Sequence, residues 1–435
     1  MTEPRRSPFP RLFWTAISFE FFERGAYYGV LSVLAVYLAA DPATGGLGFS
    51  KDKVGVLTGI FMPVVYAMPI LAGALADRFG YRRTLAVAFS LLGLGYFLTS
   101  QVHAYPLVLG SLVLLAVGAG TFKPVISGTI ARTTDASNSG LGFGIFYWTI
   151  NLGAFTTPFV VAWLRGLSWS YVFWLSAAMT AGMLLPTFLV YRDPPRPTST
   201  KPLPEVLAGM VAVLKDWRFI LMIAIYALFW VLYFQMFHTV LWYLEAFVDR
   251  GPLNAAVTSL LAAVGIDHAF EFDVAYVTAI NAGSIIALQM IVSRIVNRTR
   301  ALPTMIAGIG IATCGMALLG LSHSIWIFVA GVALFSVGEM TAHPKFISYV
   351  GQIAPRDKVA LYMGYAFLYG VIGSSLGNTL GGFLYQRLVD DPAALGRTPR
   401  PMLLWWIFTG IGVAAILGLL AYDRWIARGR RDTTA

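Results

Sequence analysis

The stretch Glu20-Phe21-Phe22-Glu23-Arg24-Gly25-Ala26-Tyr27-Tyr28-Gly29 lies inside a run from Leu12 to Ala40 that is otherwise almost wholly apolar. A run of that length crosses a bilayer core, which needs about 20 residues. A charge at the bilayer centre costs roughly 2.5–3.5 kcal/mol on insertion scales, so ionisable groups there face a bundle interior and serve a function. The spacing is helical: Glu20 to Glu23 is i,i+3, Glu20 to Arg24 is i,i+4, and Tyr27 and Tyr28 continue the same side. One face of one helix therefore carries two carboxylates, a guanidinium and two phenols. A buried ion pair that merely ties helices together is the plainer alternative. Two acids against one base, however, leave a spare proton site.

The surrounding chain agrees with a membrane reading. Of its 435 residues 57% are hydrophobic and 12% charged, a composition that belongs to polytopic membrane proteins. The net charge of +10 sits in short loops between apolar runs. It reads as a topology signal and not as a nucleic-acid surface. The single Cys314 lies in an apolar run, so no disulfide framework or thiolate metal site is expected. The first span is too long and too charged for a cleaved signal peptide.

Twelve spanning segments are expected near 12–40, 53–76, 81–101, 104–130, 140–164, 170–191, 217–246, 272–295, 302–321, 324–352, 359–387 and 401–425. Residues 1–191 form a first six-helix bundle, 192–216 a cytoplasmic connector and 217–435 a second bundle. The connector holds Asp193-Pro-Pro-Arg-Pro and Lys201-Pro-Leu-Pro, which interrupt a helix. Lys and Arg concentrate in the even-to-odd loops and at both ends, which places both termini in the cytoplasm of a multi-pass inner-membrane protein. The longest outside loop is expected from Val248 to Phe270.

Glu20-x-x-Glu23-Arg24-Gly25-x-Tyr27-Tyr28-Gly29 resembles the E-x-x-E-R-F-x-Y-Y-G signature of the proton-dependent oligopeptide transporter family, a branch of the major facilitator superfamily. Gly25 stands where that family has Phe. In the fourth span, Gly118-Ala-Gly-Thr-Phe-Lys123-Pro-Val125-Ile-Ser127 resembles G-x-G-x-F-K-P-N-I-S, with Val125 for Asn. The resemblance implies that Lys123 engages the helix 1 acids and the substrate. Phe146-Tyr147-Trp-Thr-Ile-Asn151-Leu-Gly153 resembles F-Y-x-x-I-N-x-G, which implies that Asn151 bonds a peptide backbone. Tyr66 and Asn281 fall where the family has cavity-lining Tyr and Asn. Gly338-Glu339 resembles the tenth-helix acid that takes a substrate's amino end. Gly73-Ala-Leu-Ala-Asp77-Arg78-Phe-Gly80 resembles the superfamily's cytoplasmic loop motif, which can hold the two halves closed and release them when they rock.

The departures cluster in the expected cavity. Leu31 replaces an Arg that helps hold a peptide carboxylate, Phe234 replaces an acid tied to protonation, and Ala366 replaces an indole that would leave room for a bulky group. His343, one turn from Glu339, can titrate or simply pack, and Lys345 lines the cytoplasmic mouth.

The expected fold is therefore all-α, with twelve transmembrane helices in two halves. The expected activity is proton-coupled import of peptide-like zwitterions, bulkier or more apolar than simple dipeptides, by alternating access. Glu20, Glu23, Arg24 and Lys123 would couple the proton. Tyr27, Tyr28, Tyr66, Lys123, Asn151, Asn281 and Glu339 would line the substrate site. The partners are protons, a small peptide-like substrate and the bilayer, with no nucleic acid, cofactor or metal, for a monomer. An exporting proton antiporter and a non-transporting receptor are the alternatives. An enzyme is not expected, because no nucleophile–base pair or metal cluster stands out.

Overall fold

The computed structural model describes residues 8–135, 137–194, 214–355 and 359–432. The connector expected at 192–216 falls from 195 to 213 outside the described residues. Among the described residues, ten helices are long and apolar enough to cross a membrane. They are α2 (Lys51–Phe79), α3 (Tyr81–Gln101), α4 (Tyr105–Arg132), α5 (Ser139–Leu167), α6 (Trp169–Leu189), α7 (Trp217–Phe247), α8 (Tyr276–Val296), α9 (Ala301–Leu319), α10 (Ile325–Ile353) and α12 (Pro401–Trp425). Two more complete the set: α1 (Arg11–Ala39), which carries the three charges, and α11, formed by Val359–Ala366 and Leu368–Tyr385. The fold is the all-α, twelve-helix arrangement in two six-helix halves that the hydropathy pattern predicts.

Local sequence explains the irregularities. Gly80 stands between α2 and α3 at φ +96°, a conformation that only glycine adopts cheaply. Pro63 and Pro69 in α2, Pro124 in α4, Pro158 in α5 and Pro344 in α10 remain inside continuous helices. Neighbouring helices and side chains satisfy the freed backbone groups in such spans. α7 breaks between Gln235 and Thr239. Gln235 bridges that break: its amide donates to Val231 O at 2.6 Å and Gly377 O at 2.9 Å, and its carbonyl accepts from Thr239 at 2.9 Å. The loop expected after Val248 is partly helical: Gly251–Ala263 forms a short apolar helix.

The halves meet chiefly through α2 against α11 and α5 against α8. Arg82 and Arg83 at the start of α3, and Arg298 and Arg300 in the loop after α8, lie on the face where α1 begins, here the basic face. The opposite, far face holds the ends of α1, α5 and α7. Among the described residues, hydrogen bonds between the halves lie in the far half of the molecule. Trp242 Nε1 donates to Ala35 O at 3.0 Å, Asn378 Nδ2 to Thr58 O at 3.0 Å and the Lys51 amide to Gln386 at 3.1 Å. The Asn378 and Lys51 bonds hold α2 against the end of α11, where Gly55 faces Gly382 with no room for a side chain, and the Trp242 bond ties α7 to α1.

Candidate functional site

α1 is buried along most of its length because α5 crosses it at very close range. A Cβ on Gly25 would lie 2.6 Å from Thr157 Oγ1, and one on Gly153 would lie 2.9 Å from Phe21 O. That crossing explains the glycine at position 25: a ring there would occupy the space of α5. It also seals the charged face of α1 from lipid. Glu20 is 2% exposed, Glu23 fully buried and Arg24 3% exposed.

The three charges come together as the spacing predicts. Arg24 Nε bonds Glu23 Oε2 at 2.5 Å and lies 3.6 Å from Glu20 Oε1, with Nη2 also against Glu23. The Arg24 guanidinium sits 4.9 Å from the centre of the Tyr27 ring. One oxygen, Glu23 Oε1, is buried with no hydrogen-bond partner among the described residues. An ionised carboxylate oxygen left that way is costly, whereas a bound proton removes the charge. This cluster can therefore exchange a proton without being dismantled.

Lys123 does not join the cluster. No carboxylate among the described residues lies within 4.0 Å of it; its Nζ instead lies 5.2 Å from the centre of the Tyr66 ring. Arg24 occupies the near side of both acids, and a second cation at contact distance would face it at close range. Lys123 still lies within electrostatic reach of Glu20 and Glu23.

Across the gap, Asn281 Nδ2 donates to Glu339 Oε2 at 3.0 Å and to Ser336 Oγ at 2.9 Å. Glu339 is partly exposed, so one oxygen is oriented by Asn281 while the group remains reachable. Tyr66 from the first half meets Phe234, Trp230 and Tyr369 of the second with ring centres 5.9, 6.3 and 6.4 Å apart. Trp230 stacks on Tyr369 at 4.4 Å. These rings form an aromatic partition beside the two charged groups. Tyr28 lies 6.5 Å from Phe237 of the second half and within electrostatic reach of Arg24 and Glu339.

Other candidate residues lie elsewhere or have local partners. Asn151 donates to Tyr147 O of its own helix at 2.9 Å. The Tyr27 hydroxyl donates to Met62 Sδ at 3.3 Å, inside the first half. His343 is held by the Tyr226 hydroxyl at 3.3 Å and packs edge-on to Trp230. Lys345 does not line a mouth: it is 9% exposed and donates to Thr299 O at 2.9 Å, at the end of α8. Ala366 is fully buried, so the indole-sized space expected there is absent. Leu31 is 4% exposed.

At the basic face, Asp77 accepts from Arg132 at 2.9 Å and from Tyr81 at 3.3 Å, tying α2 to α4 within one half. Arg78 is exposed and stacks on Phe79, while Gly73 faces Pro124. Sequence reasoning passed over Gln235 and Ser336 as helix-bridging groups. It also passed over Arg165 at the end of α5, which stands among uncharged residues with no neighbouring acid in sequence.

The Major Facilitator Superfamily model matches residues 13–377 and 243–433. The chain is 33% identical to the peptide transporter YePEPT of Yersinia enterocolitica over 40% of its length and 34% of that protein's. The aligned stretch thus spans about a third of the length of that relative and of similar ones. It is 26% identical to the multidrug resistance protein MdtH of Photorhabdus laumondii over 86% of both chains. A crystal structure of a peptide transporter, POT, in complex with sulfate superposes with a TM-score of 0.76 at 21% identity, covering 98% of this chain and 96% of that one. At that identity the likeness concerns the fold alone.

Proposed function

The chain belongs to the Major Facilitator Superfamily, in which it is a divergent relative of the proton-dependent oligopeptide transporters, and on that premise we propose that it is a proton-coupled symporter for peptide-like zwitterions. The observation that carries this reading is the α1 cluster: two buried carboxylates on one guanidinium, with Glu23 Oε1 unpartnered among the described residues. A proton at this cluster neutralises one acid while Arg24 keeps the other. Lys123, standing apart over Tyr66, is then available to a substrate's anionic end. Glu339, oriented by Asn281, takes a cationic end from the other half. A zwitterion spanning both satisfies the two charges only when the halves approach, which couples binding to the rocking of the bundles. Tyr28 and Tyr66 flank the site; Asn151 reaches it by exchanging its bond to Tyr147. The end of α2 with Gly73, Asp77 and Arg78, and Gly80 that follows it, serves the gate at the basic face. That face is read as cytoplasmic from its basic loops, in an inner membrane, with the chain acting as a monomer.

The substrate is larger or more apolar than a simple dipeptide in this reading, because the ring partition of Tyr66, Trp230, Phe234 and Tyr369 borders the site. The test is uptake into proteoliposomes, with a thermal-shift screen of peptides and amino-acid conjugates to find the ligand. Uptake should acidify the lumen together with substrate. A second reading, export by proton antiport, is favoured by the extent of the match to MdtH. It predicts proton movement opposite to the substrate, so the sign of the pH change decides between them.

A further inference from the structure

On the exposed side of α1, a groove of about 530 Å³ opens between α1 and α6. Two helical stripes make its walls. On α1 the stripe is Trp14, Thr15, Ser18 and Phe22; on α6 it is Ala178, Gly182, Pro186 and Val190, each four residues apart. The two helices run antiparallel, so both stripes reach the basic face, α1 with its start and α6 with its end. Among the described residues, no charged group lines the groove. The Thr15 and Ser18 hydroxyls are used within their own helix, donating to Arg11 O at 3.0 Å and Trp14 O at 2.9 Å. The walls therefore offer hydrocarbon contact and little else.

Sequence explains the hollow and its mouth. Pro186 has no N–H for the Gly182 carbonyl, and α6 is interrupted at Met183, between Trp169–Gly182 and Leu184–Leu189. Ala178 and Gly182 keep the floor low: a Cβ on Gly182 would meet nothing within 4 Å. From Ala178 to Val190 the stripe runs about 18 Å at a helical rise of about 1.5 Å per residue. That is close to the ~15 Å hydrocarbon depth of one leaflet. At the mouth, Arg11 opens α1 one turn before Trp14 and continues its stripe, and Arg192 stands just past Val190. Both arginines are exposed, and neither belongs to an ion pair among the described residues. Asp193, the acid beside Arg192, accepts from the Arg82 amide at 2.6 Å. Trp14 is 50% exposed at the same level, where indoles favour the membrane interface.

We propose that this groove binds one anionic phospholipid from the leaflet of the basic face: an acyl chain lies between the stripes, and the phosphate is met by Arg11 and Arg192. The apolar walls at that depth suit a hydrocarbon chain. Two guanidinia at headgroup level select a net negative head over a zwitterionic one. A second copy of the chain fits less well, because a two-fold interface would bring four guanidinia to one level. The site also bears on the charged face of α1. Phe19 and Met179 line the groove; Phe19 adjoins Glu20, and the Met179 methyl lies 3.0 Å from where a Cβ on Gly25 would be. A chain seated there fills the side of the α1–α6 contact that the protein leaves open.

The test needs no transported substrate. Native mass spectrometry of the full chain in detergent, titrated with phosphatidylglycerol or phosphatidylethanolamine, reads the first lipid bound. The unaltered protein should favour phosphatidylglycerol about five- to thirtyfold, the scale set by two arginines at the membrane surface. Arg11→Gln with Arg192→Gln should bring that preference to within about twofold. Gly182→Phe fills open space on a helix, so it should not lower the melting temperature without lipid. It should weaken first binding of both lipids about tenfold, as lost apolar contact does. Arg424→Gln, on α12 at the same face, is the control and should leave the preference intact. An equal loss in Arg424→Gln, or full preference in the Arg11 and Arg192 pair, overturns the site. So does unchanged binding of both lipids by Gly182→Phe. A dimer that Gly182→Phe disperses would assign the groove to a second copy and overturn the lipid.

Discussion

Asn281 on α8 donates one amide group to Glu339 on α10 at 3.0 Å, and also to Ser336 at 2.9 Å. The acid proposed for a substrate's cationic end is thereby oriented by a residue on another helix. A hydrogen bond to a charged group is worth about 1.5–3 kcal/mol. Asn281→Ala should therefore weaken substrate binding by roughly ten- to a hundredfold at about 1.4 kcal/mol per factor of ten. Isothermal titration of a ligand found by the thermal-shift screen measures this; unchanged affinity would place Glu339 outside the site.

The α1 cluster gives a second expectation. Glu23→Gln keeps the shape of the side chain and its contact with Arg24, but removes the exchangeable proton. Uptake driven by a pH gradient should be lost, while counterflow exchange of substrate remains measurable. Unimpaired gradient-driven accumulation in liposomes would remove α1 from proton coupling.

Charge recognition gives a third. With Leu31 buried at 4% exposure and no cation at that position, the proposed site offers Lys123 as the cation for a substrate's anionic end. Blocking the substrate's carboxylate should cost less than about a hundredfold in affinity, or about 2.7 kcal/mol. A larger loss, measured by competition binding, means that another donor takes that end.

Position 366 has a structural outcome instead of a selective one. Ala366 is fully buried beside the break in α11, so a larger side chain meets packed neighbours. Overpacking a well-filled core costs typically about 1–3 kcal/mol. Ala366→Trp should lower the melting temperature in detergent whether or not ligand is present. An unchanged melting temperature with selective loss of bulky ligands would restore residue 366 to the pocket wall.

The α1–α5 crossing can be tested by a pair. Gly25→Ala places a carbon 2.6 Å from Thr157 Oγ1 and should destabilise the protein by about 1–3 kcal/mol. Thr157→Ala in the same chain removes that oxygen and should recover most of the loss. Thermal melts of the single and double variants measure the coupling; simple additivity would show that the two helices do not meet at this point.

What the sequence determined by itself is local or periodic. Apolar runs set twelve spans because a bilayer has a fixed thickness. The i,i+3 and i,i+4 spacing put Glu20, Glu23 and Arg24 on one face, because a helix brings those positions together regardless of its neighbours. The expectations of a Pro-rich connector and of basic inside loops likewise rest on sequence alone, and residues 195–213 of that connector lie outside the described structure. The tertiary structure alone decided what depends on distances between helices. Gly25 reads as a departure in sequence, and only the approach of α5 shows that no side chain fits there. Lys123 has the chemistry to pair with the α1 acids, yet Arg24 already holds them, and only geometry reveals that it rests over Tyr66. Ala366 reads as an emptied pocket in sequence, and only its full burial shows that no open space adjoins it. Arg165, Glu245 and Asp273 are separated by 80 and 108 positions, so no periodicity links them. They meet because the crossing of α5 with α8 brings the ends of α5, α7 and α8 to one face, and helix crossing is set by packing of both halves at once.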